Sequence, residues 1–408
     1  MSLRTLISPV ARTVRHVDKW WQRLRRPDMR HVVFDARTAM EYAMMRPVHQ
    51  RLMADARVMT WLMSSERPHR VHEIFRDAPP NARTVSPRAA ALKRFDAYVA
   101  ADFVWAHLPR GTRRVQMFHG VAGKWSHLYD RPVSSMRHWD RLFFINGRRL
   151  RNYVASGAVE SESPSIRLIG MPKADCLVDG SLNRDSVLRT HAIDPTGTTV
   201  LYAPTWTRFS SLNSMGEPVV AALIDAGYTV LVKLHENSLD PAFANSGGID
   251  WVARLEPILA RGRGHFVKSG DASPWLVAAD VLITDHSSVG FEYLLLDRPL
   301  VRIAMPQLID GANVAREYVD LITSASVTAH DPSDVMEAVG RAVAEPAHLS
   351  AERHALAAEL FYGPGQATDR AVRELYALIE LEGAASRNAA VADAALPATG
   401  PVMSRQIP

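Results

Sequence analysis

A chain of 408 residues with 47% hydrophobic and 22% charged side chains is globular and long enough for two ordinary domains. No apolar run reaches the ~18 residues of a spanning helix, and the single cysteine, Cys176, excludes an intramolecular disulfide or a cysteine-rich metal site. The formal charge of +5 is concentrated at one end: residues 1–31 carry eight Lys/Arg against two Asp, leaving the remainder near neutral and arguing against a nucleic-acid binder.

In chain order, Ser8 and Pro9 read as an N-cap and a first helical residue, with Pro27 as the stop. Between them Val10, Val14, Val17, Trp21 and Leu24 share one face, while Arg12, Arg15, Lys19, Arg23 and Arg26 flank or oppose it. Residues 9–26 thus read as a basic amphipathic helix suited to an anionic membrane surface, or else packed on the protein itself or on a second subunit. No compact apolar region with a small-residue cleavage site opens the chain, so the expected compartment is the cytoplasm.

From residue 31, β-rich runs alternate with helical stretches. Strands are predicted at 31–34, 57–63, 97–104, 114–118, 141–145 and 166–169, with a helix at 38–54. After a turn-rich interval at 179–197 come five more, at 199–203, 229–233, 266–267, 281–284 and 300–303. Helices are predicted to end near Gly227 and to cover 273–279, 333–345 and 349–382, one of which crosses back to the first domain. The expected fold is α/β: two facing, doubly wound, Rossmann-like domains at 31–180 and 195–382, between a basic helix at 1–30 and a disordered tail at 383–408. Such an arrangement lines the carboxyl ends of both sheets along one cleft, where ligands bind.

The polar residues with chemistry to offer fall at those ends. After the apolar run 281–283, Thr284, Asp285, Ser287 and Ser288 open a helix with Glu292 four residues further in. Backbone N–H groups and hydroxyls there suit phosphate oxygens, although Ser287 could equally cap the helix. His119 and Gly120 follow Met117-Phe118, with Lys124 five residues on; the imidazole is either a general base or a structural histidine. Thr205 and Arg208 follow the strand at 199–203 and suit a phosphate, or else belong to a turn packed on Trp206. Lys233 and His235 alternate onto one side, where a cation or a protonated imidazole would stabilise a leaving nucleotide. Glu292 is placed to accept two ribose hydroxyls, or to bond a neighbouring loop. The chain lacks G-x-x-x-x-G-K-[ST], a G-x-G-x-x-G after a strand, H-E-x-x-H, Asp-x-Asp and G-x-S-x-G. No metal or cofactor is expected, and the chemistry left is metal-independent transfer from a nucleotide-diphosphate donor.

Together His119-Gly120 with Lys124, Gly170-x-Pro172-Lys173-x-Asp175, Ala203-Pro-Thr-Trp206, Lys233-x-His235, and Thr284-Asp285-x-Ser-Ser288 leading to Phe291-Glu292 and Asp297-Arg298-Pro299 resemble the CDP-glycerol glycerophosphotransferase family over residues 115–305. The family includes teichoic acid and capsule polymerases and primases. The resemblance implies a GT-B fold and transfer of glycerol phosphate from CDP-glycerol to a hydroxyl of a lipid-linked or polymer acceptor, releasing CMP, at the inner face of the cell membrane. It implies an acceptor domain followed by a nucleotide-donor domain, with His119 and His235 as catalytic residues. Lys124, Thr205, Arg208, Lys233, Asp285, Ser287, Ser288 and Glu292 would then bind the donor, Glu292 near the ribose. The chain departs from the family pattern at Val121-Ala122, at Glu236 and at Thr207. A GT-B glycosyltransferase using a nucleotide sugar, and a catalytically idle GT-B binding module, are the alternatives.

Overall fold

The computed structural model describes residues 13–14, 17–18, 28–101, 103–124, 136–243 and 247–381. Each half is built on a six-stranded, wholly parallel sheet. The first contains β1 (Arg30–Asp35), β2 (Val58–Met63), β3 (Ala97–Ala101), β4 (Arg113–Met117), β5 (Arg141–Phe144) and β6 (Ile166–Leu168), in the order β2-β1-β3-β4-β5-β6. The second contains β7 (Thr199–Tyr202), β8 (Thr229–Val232), β9 (Gly264–Phe266), β10 (Val281–Thr284), β11 (Leu300–Ile303) and β12 (Val327–Ala329), in the order β12-β11-β10-β7-β8-β9. Central strands such as β10, with all four residues buried, are mostly apolar because helices cover both faces. Leu282 lies between Leu201 of β7 and Leu300 of β11. The second sheet reverses its strand order between β7 and β10, which opens a crevice at their carboxyl ends.

Among the helices, α1 (Ala39–Met53) starts at Thr38, whose hydroxyl accepts the Glu41 N–H, and α2 (Gly147–Ala155) starts at Asn146 in the same way. The second half adds α3 (Ser211–Asp225), α4 (Ser273–Ala278), the short α5 (Val289–Tyr293) and α6 (Pro332–Ala344). The single helical stretch expected over 349–382 is two helices, α7 (Ser350–Leu360) and α8 (Ala367–Leu378), because Gly363-Pro364-Gly365 interrupts it. The last helix does cross back: Asp175 accepts the Ala367 and Thr368 N–H groups (3.0 and 2.7 Å), Arg167 pairs with Glu374 (2.6 Å), and Tyr376 donates to Asp55 (2.9 Å).

One apolar cluster runs through both halves, and a second packs Val33, Tyr98, Trp139 and Phe144 on the opposite face of the first sheet. The sixth strand of the second sheet, β12, escaped prediction because three residues at a sheet edge carry too little apolar pattern. No helix among the described residues is long and apolar enough to cross a membrane. The expected basic helix lies outside the described residues apart from positions 13–14 and 17–18, and the tail at 383–408 lies wholly outside them.

Candidate active site

The carboxyl ends of the two sheets face each other across a cleft of about 810 Å³. On the first wall His119 stands one residue past the buried Phe118, which stacks on Phe144 with ring centroids 4.5 Å apart. Arg149 holds the loop that carries it: Nη1 donates to the Gly120 carbonyl at 2.6 Å. A Cβ on residue 120 would sit 2.5 Å from that nitrogen, so a larger residue there requires the guanidinium to shift. Asn146 braces the same loop. Its Oδ1 accepts the Arg149 N–H (2.8 Å), and its Nδ2 donates to the carbonyls of Val121 (2.9 Å) and Leu360 (2.7 Å). Beyond Gly123 the chain crosses to the other half, where Lys124 donates through Nζ to Thr205 Oγ1 at 2.6 Å and its carbonyl accepts the Ala315 N–H at 3.0 Å.

The second wall is made by the loops after β7, β8 and β10. Lys233 lines the cleft, and among the described residues its ammonium donates to the Leu234 carbonyl at 3.4 Å. Burial, reinforced by the nearby Lys173, lowers its pKa to about 8; burial likewise lowers Lys124 to about 8. His235 accepts the Asn237 N–H on Nδ1 at 3.1 Å, which assigns the imidazole proton to Nε2. Burial, then the charges of Lys233 and Lys124, lowers its pKa to about 4. His235 is therefore neutral near pH 7 and a hydrogen-bond donor, so of the cation or protonated imidazole considered from the sequence it is Lys233 that carries the charge. Ser287 and Ser288 line the cleft too. Neither side chain caps α5: Ser288 at the cap position is itself helical and makes no cap bond, so the capping alternative is not what is found.

Two expectations need correction. Asp285 does not face the cleft. It is fully buried, and its oxygens accept the N–H groups of Thr205 (2.8 Å), His286 (2.6 Å) and Ser211 (3.0 Å) together with the Ser211 hydroxyl (3.1 Å). It ties the β7 and β10 loops together. Arg208 is exposed with its guanidinium 4.8 Å over the Phe209 ring, and it is absent from the cleft lining. Glu292 lines the cleft, and its two oxygens accept from Lys173 Nζ at 2.9 and 2.7 Å, each keeping a further lone pair for another donor.

That pair explains the Gly170–Asp175 string. Gly170 adopts φ +90°, and a Cβ there would meet the Tyr362 carbonyl at 2.4 Å. Lys173 then crosses to Glu292, and Asp175 caps α8. Arg46–Asp271 (2.6 Å) and Arg76–Glu236 (2.7 Å) are among the other pairs that span the halves. The departure at Glu236 is thus matched by a cation on the opposite wall. Asn146, Arg149 and Arg76 escaped the sequence reading. For Asn146 the signal was present, an Asn-Gly pair directly after the apolar run 142–145. For the two arginines there was none.

Two parallel sheets meeting at a cleft, with a histidine on one wall and buried cations and hydroxyls on the other, define a GT-B-like protein. The chain belongs to the CDP-glycerol:poly(glycerophosphate) glycerophosphotransferase family, whose model matches residues 50–341. It is 28% identical over 200 residues to the teichoic acid poly(glycerol phosphate) polymerase of Staphylococcus epidermidis, a match covering 45% of this chain and 25% of that relative. The chain thus spans about a quarter of the length of that relative. Among solved structures it is similar to the wall teichoic acid polymerase TagF (TM-score 0.64, 17% identity, covering 87% of this chain and 90% of that chain). It is also similar to a putative UDP-N-acetylglucosamine 2-epimerase from Listeria monocytogenes (TM-score 0.56, 14% identity, covering 86% and 97%). At these identities the structural likeness concerns the fold.

Proposed function

We propose that the protein transfers glycerol phosphate from CDP-glycerol to a hydroxyl of a polymer or lipid-linked acceptor, releasing CMP. The observation that carries this reading is the confrontation of His119 on one wall with Lys233, His235, Ser287 and Ser288 on the other. Family membership supports the donor, and a related TagF structure was obtained after soaking with CDPG. The first half, residues 31–180, takes the acceptor, and the second half, residues 195–382, takes the donor. His119 accepts the proton of the acceptor hydroxyl as its oxygen attacks the phosphorus that bears the glycerol. The bond from that phosphorus to the bridging oxygen breaks, and CMP leaves with the electron pair. Lys233, the Nε2–H of His235 and the hydroxyls of Ser287 and Ser288 hold the diphosphate and stabilise the charge that develops on the leaving group. Lys124 fixes the Thr205 loop beside them.

We place the enzyme at the cytoplasmic face of the membrane through residues 9–26. Supporting this, Val14 and Val17 on the predicted apolar face are exposed, while Asp18 accepts the Arg94 N–H at 3.0 Å and so faces the protein. The test of the reaction is a donor panel of CDP-glycerol with UDP- and GDP-linked sugars, read as free nucleotide in the presence of an acceptor extract. CMP from CDP-glycerol alone is the expected result. Release of UDP or GDP would replace the reading with glycosyl transfer.

A further inference from the structure

The cleft wall beyond His119 carries positive charge that the donor chemistry leaves unused. After β2 the chain makes an excursion over residues 64–83, then returns so that Leu62 donates to the Arg83 carbonyl (2.7 Å) and accepts the Val85 N–H (2.9 Å). Its base is tied down. The buried Asp35 accepts the Ser65 N–H at 2.9 Å, and the Ser64 hydroxyl accepts the Arg67 N–H at 3.3 Å. Its apolar side is anchored by Ile74 and Phe75, both buried, with Phe75 edge-on to Tyr42 of α1 at 5.0 Å. Its polar side lines the cleft with Arg67, Arg70 and Arg76.

The three guanidiniums differ in their partners. Arg70 pairs with Glu73 and Arg76 with Glu236 across the cleft, whereas the Arg67 guanidinium has no hydrogen bond or ion pair among the described residues. Arg37, at the end of β1, continues the strip toward His119. Three strand spacings, from β2 through β1 and β3 to β4, separate the excursion from the strand of His119, roughly 14 Å. Over the whole cleft, eight Lys and Arg face four carboxylates.

We propose that residues 64–83 form a binding track for an anionic acceptor, in which Arg67, Arg70 and Arg76 hold phosphodiester groups of a glycerol phosphate chain whose terminal hydroxyl lies at His119. This rests on the function proposed above. Guanidiniums suit the task because their planar fork bonds two phosphate oxygens at once. Glu73 and Glu236 hold two of them in place while the track is empty. Both pairs are solvent-accessible, so a phosphate can replace the carboxylate at small cost. The fixed base keeps the strip in register with the cleft, and Arg67, whose guanidinium has no hydrogen bond among the described residues, provides the first contact.

The test is direct binding of a synthetic four-unit glycerol phosphate oligomer to the full chain, with CDP-glycerol binding measured on the same samples. In R67A/R70A the oligomer affinity falls by about tenfold or more, the loss expected for removing charge-assisted hydrogen bonds. R67K/R70K recovers part of it, added salt narrows the difference, and CDP-glycerol affinity is unchanged. Oligomer binding that survives R67A/R70A, or a wild-type chain that does not bind the oligomer, overturns the proposal. So does an equal loss of CDP-glycerol affinity, or binding to phosphatidylglycerol vesicles without binding to the soluble oligomer. Failure of the underlying reaction registers separately, as absence of CMP release from CDP-glycerol.

Discussion

Lys173 and Glu292 meet at the floor of the cleft, one from each half, with Nζ 2.7 and 2.9 Å from the two carboxylate oxygens and both side chains nearly inaccessible. Burial by itself would lower the lysine's pKa, but Glu292, with Asp271 behind it, more than offsets this and holds Lys173 above its ordinary value. The pair is buried and geometrically satisfied, which makes the loss of one partner far worse than the loss of both. Lys173→Met leaves a carboxylate stranded in the interior and should cost about 3–5 kcal/mol of stability. The double variant Lys173→Met/Glu292→Met should recover most of that. Denaturant unfolding of the two variants checks it, and a double variant no more stable than Lys173→Met would contradict it.

The His119 loop depends on a contact rather than on its own conformation. Gly120→Ala drives a methyl group against Arg149 Nη1, so the guanidinium must shift from the Gly120 carbonyl, leaving Asn146 as the remaining brace of the loop. A displacement of that size at a reacting group is expected to lower turnover by about 100-fold, with the fold intact and donor affinity little changed. Steady-state kinetics beside a thermal melt separate this from simple destabilisation. An unchanged turnover would mean that the position of His119 does not matter.

Donor affinity should depend on alkaline pH in a definite direction. Lys233 and Lys124 have pKa values near 8 because burial disfavours their charged forms. Below that pH both are cations that attract a diphosphate, and above it they become neutral. The dissociation constant for CDP-glycerol should therefore be flat from pH 6 to 7 and rise above pH 8, by up to about tenfold per unit for each lysine that matters. Lys233→Arg, which keeps its charge, should move the rise upward. A flat profile to pH 9.5 would exclude both ammonium groups from donor binding.

His235 should act through one nitrogen. Nδ1 is occupied by the Asn237 N–H, and the ring is held neutral, so Nε2–H is the group presented to the donor. His235→Gln retains a donor near the Nε2 position and should keep more activity than His235→Asn, which retains only the inner acceptor. Turnover of both variants against CDP-glycerol decides this, and the reverse ranking would reassign the role to Nδ1.

The fold was legible because its strands are buried on both faces and therefore read as short apolar runs separated by turns. The predicted runs at 31–34, 141–145 and 281–284 lie within a residue or two of β1, β5 and β10. Strand-end polar residues were legible for the same reason, since alternation fixes their side of the sheet: His119, Lys233 and His235 all reach the cleft. What the sequence hid was pairing between distant segments. Glu292 gave no sign of its partner Lys173, 119 residues away. Asp285 looked like part of the donor site until the amides of Thr205 and Ser211 claimed it. Glu236 looked misplaced beside a phosphate site until Arg76 appeared opposite. Helix patterning is blind to such contacts, because burial and charge compensation across a cleft leave no periodic trace.

In the proposed reaction His119 from one half and the phosphate-holding groups of the other work on a single substrate pair. The most direct test compares His119→Ala with Ser287→Ala/Ser288→Ala in two measurements, CDP-glycerol binding and acceptor-dependent CMP release. His119→Ala should bind donor as the wild type does yet release CMP about 100-fold or more slowly, as expected for loss of a general base. The serine variant should lose donor affinity. Undiminished CMP release by His119→Ala, or donor binding that collapses with His119 and survives without both serines, would contradict it.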